Sequence, residues 1–249
     1  MLSTMITAGI ARACQADDAV QLAAMLKTTS NDWQVLFSEL HYSATVSIQR
    51  PNSVKPDEVY DFEYDQLGLD RWRLDMRRNV PVSLVRDGAF WFTATQGSEG
   101  KVYDRLGFDS AAIASIGGSL QSQNTLLSSA THLLDIPLSE FVNLHDVEWG
   151  VAETPVRRES QYRLCWTLTP GVDGKYLPAF GAIEWLLENN HAFLTHYEYY
   201  FGKRGQNDPR GVVVDVQYDR HDGKLLPSRS LRTENGVKIE TIRGQTSAA

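Results

Sequence analysis

The sequence predicts an α+β fold, with a single curved antiparallel sheet of about ten or eleven strands over an N-terminal helix and a short helical insert. Three observations predict it. The hydrophobic period is helical near the N-terminus and changes to two from residue 41. That period is lost across residues 106–145 and then returns. Gly-bearing links such as Asp87-Gly88, Asp222-Gly223 and Asn235-Gly236 punctuate the alternating segments.

The 249 residues, 42% of them hydrophobic, suffice for a sizeable core. We expect one domain over 17–244, preceded by a flexible tail or signal remnant (1–16) and followed by a tail (245–249). The opening "MLSTMITAGIARACQA" ends in an Ala11-Arg12-Ala13 pattern but lacks a positive leading region, so it reads either as the remnant of an export signal or as a loose tail.

"DDAVQLAAMLKTT" has helical spacing at Val20, Ala23, Ala24 and Leu26, with Asp17 as the expected N-cap. "NDWQVLFSEL" continues it, with Trp33, Leu36, Phe37 and Leu40 on one face. "HYSATVSIQ", "VYDFEYD" and "RWRLDMR" then alternate apolar with charged or polar residues, the signature of strands with one wet face. Val82–Val85 and Phe90–Thr95 form a hairpin whose turn is expected at Asp87-Gly88. Counted from there, Phe90 and Phe92 face inward with Trp72 and Phe62, and Trp91 faces out. "KVYDR" begins another strand. The insert reads as short helices, with Asn124 and Ser139 as expected caps and Pro137 near a helix start. The strands "VEWGVAE", "QYRLCWTLT", "GAIEWLLE", "AFLTHYEYYF", "GVVVDVQYD", "LLPSRSLRT" and "VKIETIRG" complete the chain.

A formal net charge of −7 without a dense basic run argues against nucleic acid. No apolar run is long enough for a membrane-spanning helix. Cys14 and Cys165 are too few for a disulfide framework or a zinc site, although one bridge between them is open. No phosphate-loop, zinc-protease or nucleophile-elbow motif occurs, and "SIGGS" (115–119) reads as a helix break. His191 and His196 are five apart on a strand and fall on opposite faces unless a bulge intervenes. His221, with Asp219 and Asp222, sits in a turn and His132 on a short helix, both better read as solvated or packed than as metal ligands. Asp61 and Glu63 share a charged strand face, where cross-strand pairing with Arg71 or Arg73 is expected rather than acid–base chemistry. We expect no enzyme activity, no cofactor and no metal.

The strongest signal is the aromatic stripe Tyr60, Phe62, Tyr64, Trp72, Leu74, Met76, Phe90 and Phe92. It is either a plain core or the lining of a cavity for an apolar ligand.

Arg71, Trp72 and Arg73 followed by Asp87, Gly88 and Trp91 resemble an aromatic-between-arginines strand and a "DG…W" hairpin of the LolA/LolB-like superfamily of bacterial lipoprotein carriers. The order of elements over roughly residues 17–244 is similar as well. The resemblance implies an unclosed β-barrel over a helical lid, with a cavity that takes acyl chains. It further implies a periplasmic or cell-envelope location, a lipid or acylated protein as ligand, and an envelope protein as a further partner. The alternative is a non-enzymatic interaction or sensor module on the same half-barrel with a packed core.

Overall fold

The computed structural model describes residues 18–30, 39–68, 71–77, 82–87, 90–97, 100–106, 125–134, 136–151, 160–169, 178–202 and 211–244. Helix α1 covers 18–29. Strands β1 (Glu39–Gln49), β2 (Glu58–Leu67), β3 (Arg71–Arg77), β4 (Val82–Asp87), β5 (Phe90–Gly97) and β6 (Gly100–Leu106) follow. Then come α2 (Thr125–Thr131), a small pair of strands β7 (His132–Leu133) and β8 (Ile136–Pro137), and α3 (Leu138–Phe141). Strands β9 (Val147–Val151), β10 (Tyr162–Leu168), β11 (Ala179–Glu188), β12 (His191–Phe201), β13 (Gly211–His221), β14 (Lys224–Glu234) and β15 (Val237–Arg243) complete the fold.

The main sheet has thirteen strands in the order β6-β5-β4-β3-β2-β1-β15-β14-β13-β12-β11-β10-β9. The strands β6 and β9 end that order, so the sheet is unclosed. It exceeds the expected ten or eleven because each alternating segment forms a strand of its own. No helix among the described residues is long and apolar enough to cross a membrane.

The helical expectation for 31–40 fails at its end, where Glu39 and Leu40 open β1; residues 31–38 lie outside the described residues. The expected caps Asp17 and Asn124, the "SIGGS" segment and Cys14 also lie outside them, while Cys165 stands half-buried on β10. Ser139 is not a cap. Pro137 holds the N-cap position of α3, and no side chain caps it. The β7–β8 pair was not legible as strands. Its turn uses Leu134 in the left-handed region (φ 55), a residue type that gives no turn signal.

The chain divides into two compact units, one of residues 1–31 and 131–215, the other of 32–130 and 216–249. In the second, β1 to β4 alternate strictly. Tyr42, Ala44 and Val46 of β1, Tyr60, Phe62 and Tyr64 of β2, Trp72, Leu74 and Met76 of β3 and Leu84 of β4 are all buried. Their sequence neighbours Thr45, Asp61, Asp65, Arg71, Arg73 and Arg77 are exposed. The predicted turns Asp222-Gly223 and Asn235-Gly236 adopt positive φ at both residues (50°, 76° and 49°, 78°), the conformation that matches the twist of adjoining strands.

In the first unit, α1 buries Ala19, Leu26 and Thr29. One face of β10 carries Leu164, Trp166 and Leu168, and Phe141 of α3 packs edge-on against Trp166 with ring centroids 5.0 Å apart. Gly181 of β11 faces Trp166 on β10 and Tyr199 on β12. A Cβ there would lie 1.9 Å from the Glu198 carbonyl oxygen. Gly181→Ala is therefore expected to cost about 1–3 kcal/mol as the two backbones are pushed apart. The urea midpoint checks this; an unchanged midpoint contradicts so close an approach.

Candidate functional site

An open groove of about 470 Å³ lies on β2, β3 and β4, lined by Asp65, Leu67, Arg71, Trp72, Arg73, Val85 and Asp87. Register explains its composition. Asp65, Arg73 and Val85 are directly opposite one another across the three strands, and Arg71 is opposite Asp87. Leu67 ends β2 beside them. Two guanidiniums thus run down the middle strand, with carboxylates at two opposite corners and apolar side chains at the other two.

Each arginine is engaged in an ion pair. Arg71 Nε lies 3.1 Å from Asp87 Oδ1, and Arg73 Nε lies 2.6 Å from Asp75 Oδ2. Asp65 pairs with His41. Pairs this exposed contribute about 0–1 kcal/mol each, so they leave the groove electrostatically open to a ligand. Trp72 is 6% exposed and buried on the apolar face, yet it also lines the groove. Trp72 thus belongs both to the apolar face and to the lining of a groove whose arginines stand on the other face of β3.

The expected pairing of Asp61 and Glu63 with Arg71 or Arg73 is corrected by the register. Glu63 pairs with Arg77, and Asp61 accepts a hydrogen bond from Thr45 Oγ1 at 2.7 Å.

Of the aromatic stripe, six members come together. Tyr60, Phe62, Tyr64, Trp72, Leu74 and Met76 share one face and are 0–6% exposed. Tyr42 packs against both Phe62 and Tyr64, at centroid distances of 5.7 and 5.6 Å. Positions 90 and 92 do not join them. Asp87 pairs with Phe90, and positions 88 and 89 between them lie outside the described residues. The face is set by the pairing of β4 with β3. Phe92 is opposite Val85, in the row of Arg73 and Asp65, and Phe90 is opposite Asp87. Trp91 is opposite Arg86, which is opposite Trp72. The strand positions of Phe90 and Phe92 therefore belong to the face of the groove, and that of Trp91 to the face of Trp72.

Burial holds the Tyr64 hydroxyl well above its ordinary range, and it donates to Gln66 Oε1 at 2.9 Å. Because its folded pKa is raised, its contribution to stability is present below the unfolded value of about 10 and is lost as pH rises beyond it. Tyr64→Phe should flatten the loss of stability above about pH 10 relative to wild type. Parallel alkaline unfolding curves for the two proteins contradict this.

A second polar constellation, in the other unit, was not legible from sequence. Arg163 on β10, Glu184 on β11, His196 on β12 and Asp215 on β13 are successive cross-strand partners. Glu184 is fully buried, pairs with Arg163 and accepts from Ser160 Oγ at 2.7 Å. Arg163 also reaches Glu198 at 3.1 Å, and His196 Nδ1 lies 2.9 Å from Asp215 Oδ1. The pairing of β11 with β12 shifts between Glu184 and Trp185, leaving Thr195 as an extra residue. That bulge overturns the parity expected for His191 and His196. Their partners Glu188 and Glu184 are four apart, so both histidines fall on one face. His221 lies 3.8 Å from Asp222 in an exposed turn, and His132 is buried beside Thr131.

The fold and groove define an α+β chain with one unclosed antiparallel sheet, an apolar face of aromatics and a charged groove on β2, β3 and β4. No family model and no curated protein matches the chain. The crystal structure of a LolA superfamily protein from Nitrosomonas europaea is similar at 10% identity, over 91% of each chain, with a TM-score of 0.42. The crystal structure of an outer membrane lipoprotein-sorting protein domain from Vibrio parahaemolyticus is similar at 8% identity, over 94% of this chain and 95% of that one, with a TM-score of 0.35. At these scores the likeness stands as an observation, and function is read from the residues of this chain.

Proposed function

We propose that the chain is a carrier-like protein of the cell envelope that binds a lipid or an acylated protein and does not convert it. The observation that supports this reading is that Trp72 belongs both to a face built with Tyr60, Phe62, Tyr64, Leu74 and Met76 and to the lining of a groove carrying Arg71 and Arg73. An amphiphile needs both surfaces: apolar side chains along its hydrocarbon and polar groups at its head. The charged groups of the groove are arginines and aspartates engaged in ion pairs, an arrangement suited to holding a headgroup. Periplasmic residence and an envelope protein as delivery partner belong to the same proposal.

The second reading is an interaction or sensor module on this scaffold. The 0–6% exposure of the six stripe residues favours it, because side chains so covered make a packed core. A fluorescent fatty-acid probe separates the two. The carrier reading expects saturable binding of the probe; no binding over the probe's soluble range leaves the module reading.

A further inference from the structure

We propose that the groove on β2, β3 and β4 is a headgroup site for a zwitterionic phospholipid bearing a primary ammonium. The inference rests on the reading that the chain binds an amphiphile, and it adds which headgroup the chain selects. Its basis is the arrangement of charge. Arg71 and Arg73 lie two residues apart on one face of β3, about 7 Å from each other along the strand. Arg71 pairs with Asp87 and Arg73 with Asp75, and both guanidiniums line the same groove. A phosphate, with several acceptor oxygens, suits two guanidiniums at that spacing.

An anion-selective site would surround these cations with neutral groups. Here Asp65 and Asp87 complete the lining, which makes it neutral as a whole. Asp65 pairs with His41 and Asp87 with Arg71. A carboxylate has two acceptor oxygens, so each can accept from a ligand as well as from its partner. The matching ligand therefore carries a hydrogen-bonding cation within reach of its phosphate. A primary ammonium has three N–H donors to give; a quaternary ammonium has none. Leu67, which is 61% exposed, and Val85 occupy the two remaining corners, where the first methylenes of an acyl or glycerol segment would lie. The volume, about 470 Å³, is that of a headgroup site rather than of a whole lipid.

The test uses the full chain with soluble dihexanoyl phosphatidylethanolamine, dihexanoyl phosphatidylcholine and free phosphoethanolamine, each titrated calorimetrically below its micelle concentration. The ethanolamine lipid is expected to bind about tenfold more tightly than the choline lipid, the difference set by charge-assisted hydrogen bonds to carboxylate. In the Asp65→Asn, Asp87→Asn double variant, with its melting temperature checked against wild type, that preference is expected to vanish. In the Arg71→Gln, Arg73→Gln double variant both lipids are expected to weaken together. Equal affinity for the two lipids overturns the proposal, as does a preference that survives loss of both aspartates. Free phosphoethanolamine binding as tightly as its lipid overturns the lipid as source. If the fatty-acid probe binds and neither phospholipid does, the headgroup site falls and the carrier reading stands; if the probe fails too, both fall.

Discussion

Phe62→Ala is expected to lower the free energy of unfolding by about 3–5 kcal/mol. Phe62 has no exposed surface and meets the Tyr42 ring edge-on. Its cross-strand neighbours are Ala44 on β1 and Met76 on β3. Ala44 is too small to collapse into the vacated volume, and the rigid strands on both sides hold the void open. The transfer loss and the cavity loss therefore both apply in full. Phe62→Leu keeps most of the volume and should cost less than about 1.5 kcal/mol. Urea denaturation of the two variants measures the difference. A loss below about 2 kcal/mol for Phe62→Ala would mean that space already exists beside the ring.

Glu184→Ala is expected to cost about 3–5 kcal/mol for a different reason. Glu184 is fully buried and holds both Arg163 and the Ser160 hydroxyl. Truncation leaves Arg163, whose side chain is only 12% exposed, with Glu198 as its one acidic partner among the described residues. A buried guanidinium without full compensation is what makes breaking such a pair so unfavourable. Replacing both partners by apolar residues of similar shape, Arg163→Met with Glu184→Leu, should be far milder than either single truncation, because the desolvation of both charges is relieved together. Chemical denaturation of the single and double variants checks this. A double variant as unstable as the sum of the singles would show that packing, and not buried charge, sets the loss.

The contrast between these two sites explains what the sequence could and could not disclose. Phe62 lies in "VYDFEYD", where one face is buried and the other is wet, so the period of two is visible and the face of every residue follows from parity. Glu184 lies in "GAIEWLLE", where Ala182 to Trp185 are all buried. With both faces covered the alternation disappears, and a charge inside an apolar run was the one available sign of a buried polar row. The bulge at Thr195, which aligns His196 with Glu184, has no signature in the residues themselves.

The placement of Phe90 and Phe92 depends on a different pairing. A turn at Asp87-Gly88 and the observed pairing of Asp87 with Phe90 both set positions 90 and 92 opposite odd-numbered positions of β4. What decides the face is the pairing of β4 with β3, where Arg86, not Val85 or Asp87, stands opposite Trp72. In "VSLV" apolar residues stand at both parities, so the alternation does not name the buried face. The Asn189-Asn190 turn, with positive φ at both residues (50° and 64°), is by contrast a legible hairpin signal.

Whether this chain carries an amphiphile, as proposed, is decided by native mass spectrometry of the full chain, purified without detergent and then incubated with a bacterial lipid extract. We expect a second charge-state series, heavier by the mass of one phospholipid, that diminishes in the Arg71→Gln, Arg73→Gln double variant. A spectrum that holds only the bare chain at every lipid concentration, from protein that unfolds cooperatively, would contradict it.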